Sequence, residues 1–75
     1  MPFSVATAAQ VRITVFDLLG REVVTLADGR YEAGVYQAVF DGSLLPSGMY
    51  LVRADVTPEN GGGTTAFTQR LTLLK

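Results

Sequence analysis

Residues 16–52 read FDLLGREVVTLADGRYEAGVYQAVFDGSLLPSGMYLV, and the turn signals inside this stretch decide the fold. Asp17-Leu18-Leu19-Gly20 carries Asp first and Gly fourth, the pattern of a type I turn. Gly20 is then free to take positive φ as a bulge residue, and the Asp17 carboxylate can accept from the turn's own amides. Glu22 to Ala27 reads as the returning strand of a hairpin. Asp28-Gly29-Arg30 opens the next turn and Ala33-Gly34 closes it. Val35 to Phe40 follows as a strand with Tyr36, Ala38 and Phe40 on one face, ended by Asp41-Gly42. Leu45-Pro46-Ser47-Gly48 is a second type I turn in this reading, with Pro46 where its fixed φ helps and Gly48 taking positive φ at the strand entrance. Asp17, Gly20, Gly34 and Gly48 are thus the structural turn residues.

Outward from this stretch, Val11 to Phe16 alternates with period two: Val11, Ile13 and Val15 share one face, Arg12, Thr14 and Phe16 the other. Before it, Phe3 to Ala8 reads as a short first strand, with Thr7 to Gln10 as its turn. After the stretch, Met49 to Val56 continues as a strand with Tyr50, Val52, Ala54 and Val56 inward and Leu51, Arg53 and Asp55 outward. Pro58 to Gly63 is a loop, and Thr64 to Lys75 is the last strand, with Phe67, Gln69, Leu71 and Leu73 sharing a face. AGVYQAVFD (Ala33–Asp41) nearly repeats as SGMYLVRAD (Ser47–Asp55). Two units are too few for a solenoid, so the repeat reads as two neighbouring strands entered through similar glycine turns. No segment has a 3.6-residue period. About six to seven short strands, spaced roughly 8–14 residues apart, predict an all-β fold: a small antiparallel immunoglobulin-like β-sandwich forming a single domain over residues 1–75.

Composition narrows the chemistry. The chain has no cysteine and no histidine, which removes disulfides, thiolate nucleophiles and imidazole bases or ligands. A net charge of −1 lacks the basic face that nucleic acid or an anionic membrane surface requires. No apolar run approaches the roughly 18 residues of a membrane span, and the first ten residues lack the basic and apolar regions of a signal peptide. The acids sit at turns and strand ends, without the Asp-x-Asp spacing of a calcium loop and without the cleft a paired-carboxylate hydrolase needs. Gly61-Gly62-Gly63 has no following Lys and helix, so it is no phosphate loop. The expectation is a domain that is not an enzyme and carries no cofactor or metal. Tyr31, Tyr36 and Tyr50 could line a sugar platform, but core tyrosines with hydroxyls at the rim are the commoner arrangement. Leu18-Leu19 and Leu44-Leu45 are unusual in turns. They are read as folding back to plug the ends of the sandwich; the alternative is an exposed docking patch.

VRITVFDLLGREVVTL, the run FDGSLLPSGMYLVRA and the terminal RLTLLK together resemble the type A C-terminal sorting domain of type IX (Por) secretion cargo in Bacteroidetes-type bacteria. The family's Pro-x-Gly-x-Tyr followed by two apolar residues is matched by Pro46-Ser47-Gly48-Met49-Tyr50-Leu51-Val52. Its apolar-aromatic-Asp-x-x-Gly-Arg hairpin is matched by Val15-Phe16-Asp17-Leu18-Leu19-Gly20-Arg21. Its Lys-x-Val-x-x-Lys tail is matched by Arg70 to Lys75, with Thr72 in the Val slot. The resemblance implies a C-terminal domain of a longer secreted precursor. It would be exported through the periplasm to the outer-membrane surface or the medium. The implied partners are the outer-membrane translocon and a sortase-like peptidase that cuts upstream of the fold. Pro46, Gly48, Tyr50, Leu51, Val52, Arg70 and Lys75 would carry translocon recognition. Open sheet edges add edge-strand homo-association as a further expected interaction. Two other readings share some of these features: the immunoglobulin-like module of flagellar hook-capping proteins, with a similar hairpin, and an accessory or carbohydrate-binding module of a secreted hydrolase.

Overall fold

The computed structural model describes residues 2–40, 42 and 45–74. The segment with the clearest alternation lies at its centre. Strand β2 (Ala9–Asp17) turns Val11, Ile13 and Val15 to one side, where they are 2%, 3% and 0% exposed. It is paired on both edges, antiparallel to β3 (Glu22–Tyr31) and to β5 (Gly48–Pro58). β5 in turn pairs with β6 (Thr65–Leu73), giving a four-stranded antiparallel sheet in the order β3-β2-β5-β6. β1 (Pro2–Val5) and β4 (Gly34–Gln37) form a second, two-stranded antiparallel sheet. The described chain is therefore all-β, with six antiparallel strands in two sheets.

Both sheets feed one core. Val5 and Ala38 are buried with Ala9, Val11, Ile13, Val15, Ala27, Tyr50 and Val52, and Phe3, Tyr36, Phe40 and Leu45 pack against them. Fully burying one such aliphatic side chain contributes about 1.5–3 kcal/mol relative to leaving it exposed. Thr14 is the buried residue on the opposite face of β2, between Thr25 and Arg53. No buried side-chain polar atom among the described residues lacks a hydrogen-bond partner.

Several boundaries differ from the sequence reading. β1 stops at Val5, the bend occupies 6–8, and Ala9 and Gln10 already belong to β2 rather than to a Thr7–Gln10 turn. Asp28-Gly29-Arg30 makes no turn, because β3 runs through it to Tyr31. The long partner strand decides this: Arg12 faces Asp28, Gln10 faces Arg30, and ladder pairing overrides local turn chemistry. β3 also carries two register shifts against β2, whereas β5 and β6 pair residue for residue from Gly48–Leu73 to Val56–Thr65. β4 is only the four residues Gly34–Gln37, although Tyr36, Ala38 and Phe40 still share an inward face. Ahead of β5, Leu45 N donates to Gly42 O at 3.0 Å.

The near-repeat has a physical meaning other than neighbouring strands, since β4 and β5 lie in different sheets. The second residue of each unit is a glycine of almost identical conformation, φ 158° at Gly34 and 159° at Gly48. In each, the tyrosine two residues later donates its hydroxyl to the carbonyl four residues before it. Tyr36 reaches Glu32 O at 2.7 Å and Tyr50 reaches Pro46 O at 2.6 Å. One device, used twice, ties an incoming loop to the strand it feeds.

Candidate recognition site

The sequence blocks that stand out as motifs meet at one end of the four-stranded sheet. Asp17 faces Tyr50, Tyr50 faces Leu71, and Gly48 faces Leu73. The β2–β3 hairpin tip, the loop before β5 and the end of β6 are therefore neighbours.

Asp17 organises the tip. Its Oδ1 accepts from Leu19 N at 2.9 Å and Arg21 N at 3.0 Å, and its Oδ2 accepts from Arg21 Nε at 2.8 Å. Gly20 N donates to Asp17 O at 3.1 Å, with Gly20 at φ 84°, a left-handed conformation that glycine adopts without a Cβ penalty. The expected Asp-to-Gly turn is present. With the carboxylate so fully bonded, Leu18 and Leu19 are left facing water, 64% and 80% exposed. The expectation that this pair plugs an end of the fold is overturned: the turn geometry spends the polar groups inward and the apolar ones outward. Leu45 does fold back onto the core, while Leu44 lies outside the described residues.

The loop facing the tip is held from two sides. Tyr50 fixes Pro46 through its hydroxyl, and a Cβ placed on Gly42 would lie 2.8 Å from Leu73 Cδ1, so this loop rests on the end of β6. Between tip and loop lies a cleft of about 330 Å³, lined by Asp17, Leu18, Leu19 and Arg21 on one side and Leu45, Pro46 and Tyr50 on the other. Gly48, at the strand entrance, has open space where a Cβ would stand.

The residues expected to carry recognition divide into two groups. Pro46, Gly48 and Arg70 are exposed, and Leu51 is half-buried on the outer face directly opposite Arg70. Tyr50 and Val52 are each only 5% exposed, so they shape the loop and strand from beneath. Lys75 lies outside the described residues. Leu18 and Leu19 were missing from that set. A leucine pair in an Asp-x-x-Gly turn was the available signal, and the buried alternative masked it.

The opposite end is built differently. Phe3, Tyr31 and Tyr36 pack together with ring centroids 4.9–5.5 Å apart, and Tyr31 stands edge-on to both of the others. Tyr50 lies at the far end of the sheet, so the three tyrosines form no common flat platform for a sugar. Arg30 holds Glu32 and Glu59 together; its hydrogen bond keeps the Glu32 carboxyl below its usual range, and the two acids push the guanidinium's own pKa up.

The backbone hydrogen bond from Arg21, then the Arg21 side chain and the Leu19 amide, lowers the Asp17 pKa from its ordinary value. A depressed folded-state pKa gives stabilisation that is present above the unfolded value and is lost as pH falls through the folded one. Melting temperature is therefore expected to drop as pH is lowered below the ordinary Asp value of 3.8. Part of that drop should disappear in Asp17→Asn, as circular dichroism melts across the acid range would read. An Asp17→Asn profile parallel to wild type would remove Asp17 from the account.

No family model, curated protein or solved structure matched the chain.

Proposed function

We propose that this chain is a non-catalytic sorting domain, an immunoglobulin-like β-sandwich placed C-terminally on a secreted cargo and read by the type IX translocon. The observation that carries the reading is the convergence of separate motif blocks on one end of the sheet. The FDLLGR tip (Phe16–Arg21), the PSGMY segment that enters β5 (Pro46–Tyr50) and the close of β6 lie together at that end, with Leu18 and Leu19 exposed there. A folded address needs such a surface: rigidly held, apolar at its centre and free of any reaction to perform. Asp17 and Tyr50 hold the backbone on either side of the cleft, which leaves little ordering for a receptor to impose. Export would place the domain in the periplasm in transit and then at the outer-membrane surface or in the medium, where a sortase-like peptidase would act upstream of it.

The test is an export assay in a bacterium that has type IX secretion. Residues 1–75 are fused behind a periplasmic fluorescent reporter, and wild type is compared with Lys75→Glu. Reporter on the surface or in the medium, and lost in the variant, is the expected result. Reporter retained in the periplasm with the domain folded would instead favour the hook-capping or carbohydrate-binding alternatives.

A further inference from the structure

The edges of the two sheets are unequally protected. β1 and β4 are four residues each, and Pro2 in β1 has no N–H to offer. β3 carries two register shifts, and bulges turn an edge away from regular pairing. β6 has none of these safeguards. It is nine residues long, TAFTQRLTL, in unbroken register with β5, without proline and with Arg70 as its one charge. Thr65 to Arg70 are all exposed, and Phe67 is 61% exposed although it belongs to the inward face. The two-stranded sheet does not reach that far, and a groove of about 420 Å³ remains between Phe3 of β1 and Phe67 of β6.

We infer that the β6 edge pairs with the β6 edge of a second copy of this chain, antiparallel about a two-fold axis through Gln69. The sequence of β6 is self-complementary in this register. Full overlap of the nine residues sets Phe67 opposite the partner's Leu71, twice by symmetry, and Gln69 opposite the partner's Gln69. An aromatic ring then meets an aliphatic side chain, a favourable cross-strand pair. Thr68 falls opposite the partner's Arg70, so the arginines never face one another. Arg70 also has no ion pair within the chain among the described residues, unlike Arg12, Arg21, Arg30 and Arg53. Two copies of net charge −1 repel only weakly at long range. An isologous contact of this kind closes on itself and gives a dimer of eight strands in one continuous sheet, not a filament. A single strand pair is a small interface, so the dimer is weak and forms with rising concentration.

This goes beyond the sorting reading and is read out independently of export. Sedimentation velocity of residues 1–75 is followed from low micromolar to millimolar concentration, with circular dichroism as the folding control. Wild type is expected to shift from monomer to dimer. Phe67→Lys, an inward charge on the edge strand, should weaken the dimer at least tenfold. Thr68→Glu, placing a carboxylate opposite the partner's Arg70, should tighten it about fivefold. A wild-type chain that stays monomeric at millimolar concentration overturns the proposal, and so does self-association that neither substitution alters.

Discussion

Ile13→Ala is expected to lower the stability of the domain by about 3 kcal/mol, within the range of roughly 2–5 measured for isoleucine-to-alanine changes in cores. Ile13 is 3% exposed at the middle of the strand that is paired on both edges. Its cross-strand partners are Ala27 and Ala54, whose single methyl groups cannot extend into the vacated space. A chain of 75 residues has total stability on the order of 4–11 kcal/mol at the usual 0.05–0.15 kcal/mol per residue. The loss is therefore a large share of the whole, and the melting midpoint should fall by about 12–24 °C. The groove that Ile13 helps to line tempers the effect, since water can enter from that side. Val35→Ala, at a residue 79% exposed, is the control and should stay within about ±0.5 kcal/mol. Thermal and urea melts of the two variants decide the matter. A loss below about 1 kcal/mol at Ile13 would mean that this wall of the core yields.

The parts of this fold legible in the sequence were those fixed by a strong local pattern with burial behind it. Val11, Ile13 and Val15 announce β2 because a central strand must send every second side chain into the core. Asp17 and Gly20 announce the hairpin because the turn needs both the acceptor and the left-handed residue. Asp28-Gly29-Arg30 misled, because a turn-forming triplet is only a preference and β2 is long enough to capture it. Phe67 shows a different limit, since it shares the face of Leu71 as its spacing requires and is nevertheless 61% exposed. Alternation gives the face of a side chain, but whether that face is covered depends on how far the opposing sheet extends, and a two-stranded sheet stops short. The repeated Gly-x-Tyr was visible as a repeat, yet its content, a hydroxyl returned to a carbonyl four residues back, is tertiary detail that letters do not carry. The same holds for the candidate site. Each motif could be read alone, but their meeting at one end follows from the order β3-β2-β5-β6.

Replacing both Leu18 and Leu19 by glutamate is expected to reduce export of a fused reporter by at least tenfold while leaving the domain folded. The two side chains are 64% and 80% exposed. The contact that orders the tip at Leu19 is made by its backbone N–H, which glutamate retains. Surface changes of this kind usually alter stability by no more than about 0.5 kcal/mol. Docking is another matter. A receptor that covers an apolar pair must, in the variant, strip water from two carboxylates without a prepared partner, a cost that hydrophobic contact does not offset. Under the proposed sorting role this variant would separate recognition from folding, which truncation of β6 cannot do, because Leu71 and Leu73 pack on the core and their loss would loosen the sheet as well. Val35→Glu, equally exposed but on β4 in the other sheet, supplies the matched control and should be exported like wild type. If the leucine variant melts normally and is still exported in full, the hairpin tip is not the recognised surface. The weight would then shift to the outer face around Arg70 and Leu51, where Arg70→Glu is the corresponding change to make.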